Sequence, residues 1–205
     1  MEKTLIYAFR ITHIDNIPHI EKCGLVRANS PFRNPNYVSI GDTEVIGIRS
    51  QRNIKGYMLS EYIPFYLGPR SPMLYVIQNG YNGVQRVNAD QIVYCVIRLE
   101  DIVNSKKECI FTDGHALSGL TNFYEKERLG QINTIVSYDD VYSSQWNIES
   151  DLDLKRRKEA ELLIRNDLEP RFVRGYVVYN TTAKQRLESF GIEEKRIVVN
   201  SNYYF

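Results

Sequence analysis

Glu159-Ala160-Glu161 follows four consecutive cations, Lys155-Arg156-Arg157-Lys158, and leads into the apolar Leu162-Leu163-Ile164. On a strand, residues two apart share a face, so both carboxylates would point into one cleft. A carboxylate beside cations is held ionised and can stabilise a developing positive charge. The same spacing also fits an amphipathic helix with solvated glutamates, and propensity favours that element. A second constellation is Phe111-Thr112-Asp113-Gly114-His115-Ala116, where polar groups and a glycine follow an apolar stretch. Strand-end loops often carry function, although a turn in which Asp113 bonds the backbone is the more frequent reason for such a pattern. Thr12-His13 closes another apolar segment, with a satisfied structural histidine and a ligand contact equally open. Arg49, Arg52 and Lys55 form a second cationic group, and Arg165, Arg171 and Arg174 follow the first. Such runs either meet phosphate or form a solvated face.

Between these groups, Tyr62 to Tyr75 packs three of the chain's seven prolines and four aromatics into fourteen residues. Pro64, Pro69 and Pro72 each fix φ and remove a donor, which argues against an ordinary helix or central strand. The expectation is a stiff extended wall carrying tyrosines, Phe65 and Arg70.

The elements that must position these residues are short. Thr4 to Ile11 reads as a strand, followed by a helix holding Ile17, Ile20 and Cys23, capped by Asp15 or Asn16 and ended by Gly24. Asn29 to Asp42 reads as loop and Thr43 to Arg52 as one helix. Met73 to Gln78 and Ile92 to Leu99 read as strands around turn chemistry at Asn79 to Gly83. Cys109 to Phe111 reads as a shorter strand, Thr121 to Leu129 as helix, and Glu159 to Ile164 as either. Arg174 to Tyr179 and Arg196 to Asn200 are strands flanking a helix capped by Thr181 or Thr182 and stopped at Gly191. Strands outnumber helices without regular alternation, so the predicted class is α+β in one domain over residues 1–205.

Composition sets the bounds. An apolar share of 43% suffices for a core, and a net charge of +1 excludes a globally basic nucleic-acid binder but not a local basic groove. Tyrosine stands out, at 15 residues against 8 Phe and 1 Trp, which suits either base stacking or a β-rich core. Cys23, Cys95 and Cys109 read as core thiols of a reducing compartment, and they form no metal pattern with His13, His19 and His115. No membrane span or signal-peptide layout is evident, so the default is a soluble cytoplasmic protein.

Over nearly its whole length the chain resembles the DarT family of DNA ADP-ribosyltransferase toxins. The carriers are ITHIDNI (Ile11–Ile17), EKCGL (Glu21–Leu25), IGDTEVIGIR (Ile40–Arg49), YIPFYLGPRSPMLY, IVYCVI (Ile92–Ile97), FTDGHA, YDDVYSSQW (Tyr138–Trp146) and KRRKEAELLI (Lys155–Ile164). The resemblance implies an ADP-ribosyltransferase-like fold, with NAD bound as co-substrate, without metal, in a cleft between two small twisted sheets flanked by short helices. It implies transfer of ADP-ribose to a base of single-stranded DNA, thymidine foremost. Guanosine, RNA or protein acceptors, or a silent NAD- or nucleic-acid-binding module, are the alternatives. It further implies an antitoxin partner of the DarG type, with a macrodomain that removes the modification, and a monomer that does not engage membranes.

Residue by residue, the resemblance makes Glu161 the catalytic glutamate and Arg49 the arginine of the NAD-binding loop-helix, a second catalytic residue that holds the pyrophosphate and assists deprotonation of the base, with Arg52 competing for that assignment. Thr12, His13 and His115 fall on the NAD side. Tyr66, Arg70, Met73, Lys155, Arg156 and Glu159 fall on the DNA side, Glu159 standing where glutamine is more usual. Arg10 replaces a frequent histidine, and Tyr138-Asp139-Asp140 replaces an aspartate–tryptophan pair.

Overall fold

The computed structural model describes residues 3–205. Its strands are β1 (Tyr7–His13), β2 (Asn53–Ile54), β3 (Tyr57–Met58), β4 (Tyr62–Tyr66), β5 (Ile92–Arg98), β6 (Cys109–Thr112), β7 (Phe123–Glu125), β8 (Glu161–Arg165), β9 (Val173–Val178) and β10 (Ile197–Val199). The α-helices are α1 (Ile17–Cys23), α2 (Thr43–Gln51), α3 (Pro72–Asn79), α4 (Leu99–Val103), α5 (Ile132–Ile135), α6 (Tyr138–Tyr142), α7 (Leu154–Lys158) and α8 (Thr181–Ser189). The class is α+β, as the irregular strand–helix order predicts.

Eight strands form one sheet in the order β10-β9-β5-β1-β4-β8-β6-β7, and β2-β3 form a separate hairpin. The large sheet is divided at its middle. β1 pairs with β5 over its whole length and β4 with β8 over its whole length, but β1 meets β4 at one registered pair only, Phe9 with Tyr66. The two small sheets expected are therefore two four-stranded halves hinged at one point.

Pro64 sits on the open side of this split. N–H and C=O of one strand residue point to the same side, and the Pro64 carbonyl accepts from Arg10 Nη1 at 3.1 Å. The missing N–H therefore faces β1, where the ladder has already opened. This corrects the reading of Tyr62–Tyr75 as a wall outside regular structure. Its first five residues are an interior strand, because proline's defect falls on the open seam. Its last part is helix: Pro72 occupies the first turn of α3, where no donor is needed.

Met73–Gln78 is correspondingly helical rather than a strand. Ser71 Oγ accepts from Leu74 N at 3.2 Å, and Gly80 ends the helix at φ +70°. These two caps outweigh the β-branched and aromatic content between them. The segment Thr121–Leu129, expected as helix, instead supplies β7 and a short 3-10 turn, since Phe123–Glu125 pair with Ile110–Thr112 and Tyr124 stacks on Phe111 at 5.1 Å. Asn180, not Thr181 or Thr182, caps α8 through Ala183 N.

The core fills both sheet faces. Ala8, Phe65, Cys95, Ile97, Phe111, Leu162 and Ile164 lie on one side, and Phe9, Leu74, Ile77, Tyr94 and Val177 on the other. The alternation of Ala8 with Phe9 and of Tyr94 with Cys95 follows the two-residue strand period. The three cysteines are free thiols, and burial pushes those of Cys95 and Cys109 up to about 12.

Candidate functional site

Where the two half-sheets part, a cleft of about 720 Å³ opens between β1, β4, the start of β8, α2 and the 28–41 loop. Glu161 lies at its floor and is 2% exposed. Its position is fixed from both ends. As the first residue of β8 it pairs across from Tyr66, and its N–H donates to Thr112 Oγ1 at 2.9 Å. Thr112 passes the bond on to the Gly114 carbonyl at 2.6 Å. The carboxylate accepts from Ala116 N at 3.0 Å and from Arg49 Nη1, whose nearer approach is 3.0 Å to Oε2. FTDGHA is thus the loop that wraps the carboxylate, and Arg49 reaches it from the last turn of α2, which Asp42 caps.

Arginine dominates the remaining charge. Arg10, Arg27, Arg33 and Arg49 line the cleft, and Glu161 is its one lining carboxylate. Arg27 is paired with Asp167 at 3.3 Å. Arg49 Nη2 is buried without a partner among the described residues. An orphaned guanidinium donor in such a lining suits an anionic ligand. Among the described residues no group of three or more His, Cys, Asp or Glu is arranged to hold a metal.

His115 also lines the cleft, and burial lowers its imidazole pKa against the opposing pull of Glu161. It is therefore neutral near pH 7. Tyr66 lines the wall, its phenol pushed strongly upward by burial and then by Glu159 and Glu161. Thr12 and Met73 line it too, with Thr12 Oγ1 accepting from Asn16 Nδ2 at 2.9 Å. His13 does not line the cleft, since its Nδ1 caps the next turn by accepting from Asp15 N at 3.2 Å. Arg52 also points elsewhere and donates to the Leu117 and Ser118 carbonyls.

The basic run behaves differently from a solvated stripe. Arg156 is paired with Asp113 at 3.0 Å and Asp153 at 2.7 Å, while Arg157 holds Asp140 and Asp151, each at 2.6 Å. Lys158 is 1% exposed and donates to the Pro69 and Val141 carbonyls at 3.2 and 3.1 Å, its pKa lowered to about 8 by burial. Among the described residues neither Lys155 nor Lys158 has an ion-pair partner, and of the two only Lys158 is held by carbonyls.

The two glutamates do not share a strand face. α7 runs to Lys158, Glu159 sits at its C-cap, and β8 begins only at Glu161. Glu159 is 8% exposed, and burial pushes its carboxyl up to about 7, the neighbouring Lys155 opposing. Between about pH 5 and 7 the unfolded chain releases this proton while the folded chain keeps it, so stability falls as pH rises through that window. Glu159→Gln is expected to match the parent near pH 5 and to exceed its stability at pH 8 by about 2–3 kcal/mol, read by urea unfolding. Equal stability at both pH values would remove the buried, proton-holding carboxyl.

Sequence reasoning missed the 28–41 loop as cleft wall, where Arg33, Asn34 and Tyr37 line the cavity. The signal was present in a polar, proline-containing loop running into the Asp42 cap of the arginine-bearing helix. Arg70, placed on the DNA side, lies outside the cleft lining.

The chain matches a family model described as ssDNA thymidine ADP-ribosyltransferase, DarT, over residues 9–205. A DNA ADP-ribosyl transferase of Escherichia coli O127:H6 is 31% identical, covering 100% of this chain and 94% of that protein. A Thermosipho africanus DNA ADP-ribosyl transferase–DNA ADP-ribosyl glycohydrolase fusion protein is 26% identical over 96% of this chain and 49% of its own length. Among solved structures, Thermus sp. 2.9 DarT in complex with ADP-ribosylated ssDNA superposes with a TM-score of 0.83 at 24% identity, covering 100% of both chains. The same protein with NAD+ gives 0.77 at 23% identity, again with 100% of both chains covered.

Proposed function

The chain belongs to the DarT family of single-stranded-DNA thymidine ADP-ribosyltransferases, and on that premise we propose that it is a toxin that transfers ADP-ribose from NAD to thymidine in single-stranded DNA. The single observation that carries this reading is the Glu161 carboxylate, buried at the floor of an arginine-lined cleft and held by Ala116 N and Arg49. The cleft volume of about 720 Å³ suits a ligand of NAD's class.

In this reading the bond between C1′ and the nicotinamide nitrogen breaks, and nicotinamide leaves with the electron pair. The ribose carbon left behind carries oxocarbenium-like positive charge, which the Glu161 carboxylate stabilises from a fixed position. Thymine N3 then bonds to C1′ from the opposite face and loses its proton. His115, kept neutral by burial, is the cleft group suited to accept it. Arg49 holds the pyrophosphate through its free Nη2 while its Nη1 steadies Glu161. Thr12, Tyr66 and Met73 line the same cleft, Thr12 on the NAD side and Tyr66 and Met73 on the acceptor side in this reading. His13 serves indirectly by fixing the turn after Thr12. On the DNA side Lys155 and Arg70 meet the strand. Arg156 acts by ordering the 113–115 loop, and Glu159 by its proton-holding carboxyl beside Tyr66. Arg52 braces the 117–118 segment.

The antitoxin partner would be a macrodomain glycohydrolase of the DarG type, a pairing that the Thermosipho relative carries in one chain. No helix among the described residues is long and apolar enough to cross a membrane, and the chain is proposed to act as a monomeric single domain in the cytoplasm.

Incubation with adenylate-labelled NAD and a panel of oligonucleotides varied one base at a time tests the reading, with RNA and protein alongside. Label is expected on thymidine-containing single-stranded DNA. Label on guanosine alone would move the acceptor, and label only on RNA or protein would overturn the DNA assignment.

A further inference from the structure

A cluster of aromatic rings beside the cleft has no role in the chemistry above. Tyr75, Trp146 and Phe205 meet edge to face, with centroids 5.5 Å apart for Tyr75–Trp146, 5.1 Å for Tyr75–Phe205 and 5.3 Å for Trp146–Phe205. Tyr81 extends the group at 5.6 Å from Tyr75. Tyr75 is 36% and Tyr81 49% exposed, so the cluster presents ring surface to solvent. Its frame is fixed, since Gln78 bonds both backbone groups of Phe205, at 3.2 and 3.1 Å.

One cation is built into it. The Arg70 guanidinium lies 4.5 Å from the Phe205 ring centroid, and its Nε is buried without a hydrogen-bond partner among the described residues. Arg70 has no ion-pair partner among the described residues and adopts a left-handed φ of +53°, unusual for a non-glycine residue. Its N–H is pinned to Tyr94 Oη at 3.1 Å. The cluster is continuous with the site: Ser71, the next residue, stands against the Tyr66 phenol, which in turn faces Glu161.

Resting on the proposed DNA-modifying reading, we propose that Tyr75, Trp146, Phe205 and Arg70 form a stacking subsite for a nucleobase flanking the acceptor base, with Arg70 meeting the adjoining phosphate. Partly exposed aromatic rings interleaved with a cation that no carboxylate pairs are the chemistry by which single strands are held without sequence-specific hydrogen bonds. Fixing a neighbouring base holds the acceptor over C1′.

Trp146 is the chain's one tryptophan, which makes its fluorescence a reporter of this cluster. Thymidine-containing single-stranded oligonucleotides are expected to quench it, and an abasic site at one flanking position is expected to abolish the quench. Tyr75→Ala and Phe205→Leu should raise KM for the oligonucleotide about tenfold and leave KM for NAD unchanged. With the abasic oligonucleotide, Tyr75→Ala should add no further loss. The subsite is overturned if the oligonucleotide is modified while Trp146 fluorescence stays constant. It is equally overturned if both variants lose thermal stability with an unaltered KM for DNA, which assigns the rings to packing alone. If the parent chain modifies no single-stranded DNA, the functional reading itself falls and the subsite with it.

Discussion

Glu161→Gln is expected to lower the rate of ADP-ribosyl transfer by about a hundred- to a thousandfold while leaving NAD affinity within a few-fold. Glutamine keeps the volume and one acceptor oxygen, so Ala116 N retains a partner and the fold of the 112–116 loop survives. What disappears is the full negative charge beneath the ribose. An amide dipole stabilises an oxocarbenium far less than a carboxylate held in a buried site, where solvent cannot compensate. The ground state carries less positive charge at C1′ than the transition state, so the loss falls on kcat. Single-turnover kinetics alongside calorimetric titration of NAD separate the two quantities. A variant with near-parental turnover would remove Glu161 from the chemistry.

Arg49→Lys is expected to weaken NAD binding about ten- to a hundredfold, although the charge is conserved. Arg49 uses one guanidinium nitrogen on Glu161 and leaves a second buried and unpartnered among the described residues. A planar fork serves a carboxylate and a diphosphate at once, whereas a single ammonium must choose between them. Calorimetry with NAD measures the effect directly. Arg52→Lys is the control: its guanidinium holds the Leu117 and Ser118 carbonyls, so its loss should loosen that segment without a comparable change in NAD affinity. If the two variants exchange behaviours, the anchor is Arg52.

How far the sequence revealed this site depends on the range of each signal. The extents of α1 and α2, β5, β6 and β9 follow from local propensity and alternation, and the structure has them within a few residues, although Asn16 makes no side-chain capping bond to α1. Glu161, Arg49 and His115 were legible through ordered motifs rather than through spacing. The Glu159-Ala160-Glu161 spacing taken alone fits a shared strand face or, as propensity favours, a helix with solvated glutamates, and neither is found, because α7 ends at Lys158, β8 begins only at Glu161 and both carboxyls are buried. The basic run misled in another way. Its charges are evident in the sequence, but the carboxylates that absorb them, Asp113, Asp140, Asp151 and Asp153, come from four separate positions along the chain. Pro64 shows the same limit. Proline's missing donor argues against an interior strand only when a neighbour needs it, and that the neighbour has already splayed away is a tertiary fact.

The most direct test of the account is mass spectrometry of a thymidine-bearing single-stranded oligonucleotide after incubation with the protein and NAD, with released nicotinamide measured in the same tube. The account predicts one ADP-ribose on a thymidine for each nicotinamide released, and neither product with Glu161→Gln. Nicotinamide release that leaves the oligonucleotide unmodified, or that persists unchanged in Glu161→Gln, would contradict it.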